Sequence, residues 1–172
     1  MYRIATVCTG NICRSPMAEF ALRRAFDREG LGQEVSVDSA GISDEELGNP
    51  VDPRARRLLE REGIEPDGHS AQSIDPTWFG THDLLLAMDV PHARGMARMA
   101  PDGPGRDKIR MFRSFDPSVA DRGQRQQGIV DPWYGDASGF EDTWKMITAA
   151  VPGIVDYVRT QLDTPRSTTT GA

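Results

Sequence analysis

Five consecutive apolar residues, Leu84-Leu85-Leu86-Ala87-Met88, stand between Asp83 and Asp89. A run that short and unbroken reads as a strand covered on both faces, the mark of a parallel sheet lying between layers of helix. The rest of the chain keeps the same rhythm. Residues 2–7 predict another buried strand, 34–38 an alternating one and 109–112 a short one, with helical patterns between them. Ser15-Pro16 predicts a helix start, with the hydroxyl as N-cap and the proline as first helical residue. Ala18, Ala21, Leu22, Ala25 and Phe26 then recur as a core-facing stripe, which Gly30 ends. Glu19 and Arg23, four apart, are expected on the outer face of that helix. Asp52-Pro53 starts another helix with Ala55, Leu58 and Leu59 on its buried side and Gly63 at its end, and residues 91–99 form a further one. Phe140, Trp144, Ile147, Val151, Val155 and Val158 mark a final helix that Pro152 is expected to kink or split. The pattern is that of the α/β class, one domain over residues 1–162, followed by a polar, Thr-rich tail over 163–172 that is expected to fray.

Composition narrows the function classes. In 172 residues, Lys+Arg number 20 against Asp+Glu 26, a formal net charge of -6, which argues against a chain built to hold nucleic acid by its phosphates. No apolar run approaches the roughly 20 residues of a membrane span. The first apolar stretch is too short for a signal peptide and runs straight into the motif described next. Two cysteines cannot build a disulfide framework. A soluble, cytoplasmic protein is the expectation, with export lacking a cleavable signal left open. The three histidines form no cluster at ligand spacing, so no metal is expected, and His82 and His92 read as structural.

The chemistry lies in Cys8-Thr9-Gly10-Asn11-Ile12-Cys13-Arg14-Ser15-Pro16, between a buried strand and a helix. Loops at the C-terminal ends of parallel strands are where such sheets bind ligands. Gly10 permits backbone conformations closed to other residues, so successive N–H groups can face one concavity of phosphate size. The helix N-terminus adds partial positive charge, and the Arg14 fork can clamp two phosphate oxygens. Cys8 would lie at the floor of this nest, whose field favours a thiolate, the form that attacks phosphorus. Ser15 could steady the sulfur. A cysteine ending a strand is usually only a small buried hydrophobe, but the surrounding residues outweigh that reading. A proton donor is left open by the residues themselves, because Asp52, Asp75, Asp116 and Asp131 all precede proline. Of these, only Asp131 has its proline followed directly by two aromatics, Trp133 and Tyr134, able to wall a pocket for an aryl group.

The stretch from Cys8 to Pro16 resembles the signature loop of low-molecular-weight protein tyrosine phosphatases. Met17-Ala18-Glu19, Asp38-Ser39-Ala40-Gly41, Gly48-Asn49-Pro50, Asp52-Pro53-Arg54, His69, Met88-Asp89 and Asp131-Pro132-Trp133-Tyr134-Gly135 fall at that family's landmarks, in order. The resemblance implies a three-layer α/β sandwich with a central four-stranded parallel sheet, phosphatase-I-like. It also implies hydrolysis of phosphotyrosine through a cysteinyl-phosphate. Cys8 is the implied nucleophile, Arg14 the group binding the equatorial oxygens, and Asp131 the general acid and then base. Thr9, Gly10, Asn11, Ile12, Cys13, Arg14 and Ser15 would bind phosphate, with Trp133 and Tyr134 beside the aryl group. Asn11, Ser15, Ser39 and His69 would hold the loop in shape. Cys13 would be the redox partner of Cys8, closing on it reversibly under peroxide. No cofactor is implied. The expected partners are phosphotyrosine proteins or peptides, with inorganic phosphate as product, and the chain is expected as a monomer or weak homodimer.

Two features depart from the family pattern. Glu45 stands near the place of an aromatic that usually lines the cleft, and Gln72 where the family often has arginine. A carboxylate cannot stack on a phenyl ring and repels a dianionic ester, so weaker binding of simple aryl phosphates and a taste for basic flanking residues are expected. Three rival readings compete with this one. Phosphoarginine phosphatases of the same fold typically carry Thr where Ile12 stands, and the apolar Ile12 favours an aromatic ester. Arsenate reductases need further cysteines, which this chain lacks. A non-catalytic phosphotyrosine-binding module would tolerate losing Cys8 or Asp131, and both are present.

Overall fold

Four parallel strands form one sheet in the order β2-β1-β3-β4, made of β1 (Tyr2–Cys8), β2 (Val35–Gly41), β3 (Leu84–Ala87) and β4 (Ile109–Met111). The computed structural model describes residues 1–101, 103–135 and 137–164. The helices are α1 (Arg14–Arg28), α2 (Pro53–Arg61), α3 (Trp78–Thr81), α4 (Val90–Met99), α5 (Gly103–Asp107) and α6 (Ala137–Asp163), with 3-10 turns at Phe112–Phe115 and Pro132–Tyr134. Alternation along the strands sends side chains to two cores. Ile4, Leu84 and Leu86 pack with Met17, Leu22 and Phe26 of α1, Leu59 of α2 and Ile147, Ile154 and Val158 of α6. Ala5, Val7, Leu85 and Ala87 pack on the opposite face with Phe79, Met96 and Ala100. The sheet is thus covered on both faces, as its unbroken apolar runs require.

β1 pairs with β2 on one side and β3 on the other. The chain order reverses there, and in such sheets the crevice at the strands' C-terminal ends is the binding site. Gly30, at φ 73, and Gly63, at φ 73, end α1 and α2 as the sequence predicts. The Asp52 side chain caps α2, accepting from Arg54 N at 2.8 Å.

Four expectations need correction. α1 begins at Arg14, two residues before the predicted first helical residue Pro16, and Ser15 does not cap it, because the hydroxyl is turned into the site. Glu19 is 5% exposed rather than on an outer face, since α1 lies between β2 and the segment carrying His69, leaving that flank no solvent. β2 runs on to Gly41, past the predicted end at 38, because Ser39, Ala40 and Gly41 stay paired with Thr6, Val7 and Cys8. α6 runs through Pro152 without a split. Its packing on α1 and on the 3-10 turn at Phe112–Phe115 outweighs one lost backbone bond, and Gly153 has its α-carbon against the Phe115 carbonyl, where a β-carbon would not fit. The expected tail begins inside α6, which reaches Asp163, and residues 165–172 of it lie outside the described residues. Among the described residues no helix is long and apolar enough to cross a membrane.

Candidate active site

The loop leaving β1 wraps a cavity of about 290 Å³, lined by Cys8, Thr9, Gly10, Ile12, Cys13 and Arg14. Glu45 and Glu46 face it from one side, and Asp131, Trp133 and Tyr134 from another. The loop's left-handed residue is Asn11, at φ 60, and not Gly10, which the sequence had suggested for that conformation. Gly10 serves closeness instead: a β-carbon there would sit 2.8 Å from Glu46 Cγ. Asn11 tolerates the left-handed region because its short polar side chain can be tied down, and it is fully buried. Its Nδ2 donates to Ser15 Oγ at 2.9 Å and Ser39 Oγ at 2.8 Å, while its Oδ1 accepts from Gln72 N at 2.9 Å. His69 Nε2 donates to the Asn11 carbonyl at 2.8 Å. Burial pushes His69 below the ordinary histidine value despite that bond. With Glu19 4.0 Å from Nδ1 and itself pushed up by burial, the two do not act as an ion pair. Ser39 donates to the Glu19 carboxylate, so the Asn11 clamp is anchored in the helix behind it.

The Cys8 sulfur lies 3.0 Å from Ser15 Oγ, which also lies 3.3 Å from the Ala40 carbonyl. A serine hydroxyl has one proton to give. With a thiol at Cys8 that proton can rest on Ala40, and with a thiolate it can turn to the sulfur. Arg14 is 4% exposed. Its Nη1 donates to the Ile129 carbonyl at 3.3 Å and its Nη2 to Asp131 Oδ2 at 2.5 Å. The Asp131 carboxylate, about one-third exposed, thus hangs over the loop beside the arginine fork. Asp131 Oδ1 also accepts from Trp133 N at 3.1 Å, fixing the turn that carries the aromatics. Burial pushes the Cys13 thiol strongly upward, keeping it protonated beside Cys8.

Residues 3–164 match the family of the low molecular weight phosphotyrosine protein phosphatases. The chain belongs to that family. A low molecular weight protein-tyrosine-phosphatase of Streptomyces coelicolor is 41% identical over 162 residues, covering 94% of this chain and 96% of its own. The low molecular weight phosphotyrosine protein phosphatase of Homo sapiens is 38% identical, covering 81% and 84%. The crystal structure of YfkJ from Bacillus subtilis superposes with a TM-score of 0.84 at 28% identity, covering 94% and 96%. These relatives make the chain a member of a hydrolase family with the four-stranded α/β phosphatase fold.

In this phosphatase the implied site residues converge: Cys8, Thr9, Gly10, Ile12, Cys13, Arg14, Asp131, Trp133 and Tyr134 share one cavity, with Asn11, Ser15, Ser39 and His69 bonded behind it. Three contributors were missed from sequence. Arg54, paired with Asp52 at 3.0 Å, donates to the Trp133 and Gly135 carbonyls at 3.5 and 3.2 Å and lies over the Trp133 ring, tying the aromatic loop to α2. Its signal was the Asp52-Pro53-Arg54 landmark, which carries no mark of the distant partner. Glu46 joins Glu45 at the mouth and accepts from Asn49 Nδ2 at 2.6 Å. His92, read as structural, reaches Thr9 Oγ1 with its Nε2 at 3.0 Å. His82 instead binds Asp38 Oδ2 at 3.1 Å and stacks on Trp78. Gln72, standing where the family often has arginine, donates from Nε2 to the Ser39 carbonyl at 3.1 Å and closes the back of the loop.

Proposed function

We propose that this phosphatase hydrolyses phosphotyrosine in proteins or peptides through a cysteinyl-phosphate on Cys8. The observation that carries the proposal is the meeting of a cysteine sulfur, an arginine fork, a carboxylate and two aromatic side chains on one cavity. The Cys8 thiolate attacks phosphorus in line with the tyrosyl oxygen. Arg14 and the loop's N–H groups hold the equatorial oxygens, where the charge of the transition state lies. The tyrosyl C–O bond is kept, its P–O bond breaks, and Asp131 gives the leaving oxygen its proton. Water then attacks the cysteinyl-phosphate, Asp131 takes its proton, and orthophosphate departs from a thiolate stabilised by Ser15. Cys13, held as a thiol, would condense with a sulfenic acid on Cys8 to a disulfide and water, guarding the nucleophile from further oxidation.

Ile12 and the Trp133–Tyr134 wall favour an aryl ester over the guanidinium phosphate of the rival reading. The test is turnover of phosphotyrosine, phosphoarginine and phosphoserine peptides by the wild-type chain in chelator, with acid-quench trapping of labelled enzyme. Phosphotyrosine is expected to lead, with label on Cys8. Preference for phosphoarginine would overturn the reading of Ile12, and binding without turnover would make the chain a docking module.

Glu45 tunes this chemistry at the mouth. Glu45→Trp is expected to lower KM for simple aryl phosphates by about three- to tenfold with kcat little changed, the worth of one aromatic contact and one removed repulsion. An unchanged KM in steady-state kinetics would show that Glu45 does not face the bound ester.

A further inference from the structure

His92 enters the site from a direction the signature motif does not reveal. α4 begins just past the C-terminal end of β3, with Asp89 Oδ1 accepting from Val90 N at 2.7 Å. Since β3 lies beside β1 and Met88 N donates to the Val7 carbonyl at 3.0 Å, the first turn of α4 stands behind the start of the loop. His92 is 2% exposed there. Its Nε2 lies 3.0 Å from Thr9 Oγ1, and Arg14 Nη2 donates to that same oxygen at 3.5 Å. Its Nδ1 is buried and meets no hydrogen-bond partner among the described residues.

Counting protons decides what this arrangement does. Arginine carries only donors, so Thr9 Oγ1 accepts from Arg14. Burial first and the Arg14 guanidinium second push His92 down to about 4, against the opposing pull of Asp89 and Asp131. At neutral pH the ring therefore has a single N–H. On Nδ1 that hydrogen would be a buried donor with nothing to bond, an arrangement proteins avoid. On Nε2 it is given to Thr9 and leaves at Nδ1 only an unfilled acceptor. Both lone pairs of Thr9 Oγ1 are then occupied, one by Arg14 and one by His92. The threonine's own proton must point elsewhere, and Thr9 lines the cavity.

We propose that His92 is a positioning residue that turns the Thr9 hydroxyl into a hydrogen-bond donor to the substrate's phosphoryl oxygens. The proposal rests on the phosphatase reading above, because it needs a phosphoryl group in the loop. It adds a side-chain donor to the backbone N–H groups and Arg14, and it couples α4 to the orientation of the arginine fork. The pair acts as a unit: without His92 the hydroxyl is free to turn its proton away from the cavity, and without Thr9 the histidine has nothing to orient.

Four single variants and one double test it, read by kcat/KM on an aryl phosphate, by orthophosphate affinity, and by ¹⁵N NMR of the His92 ring. Thr9→Val and His92→Leu are each expected to lower kcat/KM and orthophosphate affinity by about tenfold or more, the weight of one hydrogen bond to a charged group. The double variant is expected to be no worse than either single one, since both remove the same donor. Thr9→Ser and His92→Gln, whose amide nitrogen reaches the place of Nε2, are expected to stay within about threefold of wild type. The ring spectrum should show hydrogen on Nε2 and a bare Nδ1. Hydrogen on Nδ1, multiplying losses in the double variant, or a harmless Thr9→Val would each overturn the proposal. Orthophosphate affinity and the ring spectrum need no turnover. A wild-type chain inactive on phosphotyrosine would therefore refute the phosphatase reading separately, while those two readouts still judge the His92–Thr9 pair.

Discussion

Cys8→Ser is expected to lower turnover of aryl phosphates by at least about 10⁴-fold while leaving the fold and orthophosphate binding in place. That factor corresponds to roughly 5.5 kcal/mol of lost transition-state stabilisation. The reason is the nucleophile's proton. The Ser15 hydroxyl at 3.0 Å and the N-terminus of α1 can stabilise a thiolate, but the same set is far too weak to hold an alkoxide, so the substituted oxygen stays protonated and unreactive. Binding is a separate matter, because in the proposed mechanism the ester is held by Arg14 and the loop rather than by the sulfur. Cys8 is 3% exposed at the end of β1, and exchanging sulfur for the smaller oxygen removes little volume from the core. Steady-state kinetics, orthophosphate titration and thermal unfolding of the two proteins separate these effects. A variant that keeps its melting temperature and binds orthophosphate but hydrolyses nothing supports the assignment. Residual activity within tenfold of wild type would show that the nucleophile is another group.

What the sequence reveals of this site follows from how local each interaction is. The strand, loop and helix from Tyr2 to Arg28 are contiguous, so the loop that lines the cavity could be located from neighbouring residue types, and the apolar run at Leu84–Ala87 located the sheet's interior. Ser15 shows where locality misleads: Ser-Pro is a strong N-cap signal, yet the hydroxyl is claimed by Asn11 Nδ2 and the Cys8 sulfur, both brought to it by the loop's turn. Glu19 is a similar case, since its i,i+4 partner Arg23 suggests a solvated pair, while the packing of β2 alongside α1 buries the carboxylate under Ser39. His92 and Arg54 were hidden for the opposite reason. Their partners, Thr9 and the Trp133 and Gly135 carbonyls, lie about eighty residues away, and only the crossover from β1 to β3 and the return of the chain past α2 bring them near. Asp131 needed both sources. Its aromatic neighbours were visible, but that it alone among the aspartates preceding proline hangs over Arg14 is a fact of tertiary structure.

Asp131→Asn is expected to slow phosphotyrosine hydrolysis by about 10²- to 10³-fold, the usual contribution of a general acid. The size of the loss should depend on the leaving group. A tyrosyl phenolate, with a conjugate acid near pKa 10, leaves poorly without a proton, so the first step becomes rate-limiting and no burst of product precedes the steady state. A nitrophenyl ester releases a far more stable anion that needs no acid, so its first step is expected to stay within about tenfold of wild type. Its second step still lacks the base that takes a proton from water. The cysteinyl-phosphate should therefore accumulate, and rapid-mixing kinetics should record a burst of nitrophenol followed by slow turnover. This pattern separates proton transfer from the other thing Asp131 does, which is to hold Arg14 at 2.5 Å. Asparagine keeps an oxygen able to accept from the guanidinium, so the fork retains its partner in the variant. Were Asp131 only a support for Arg14, the burst rate would fall equally with either leaving group, because the transition-state charge on the equatorial oxygens is common to both esters. Equal losses would thus reassign Asp131 to positioning and send the search for the proton donor elsewhere. A leaving-group-dependent loss fixes it as the acid of the first step and the base of the second.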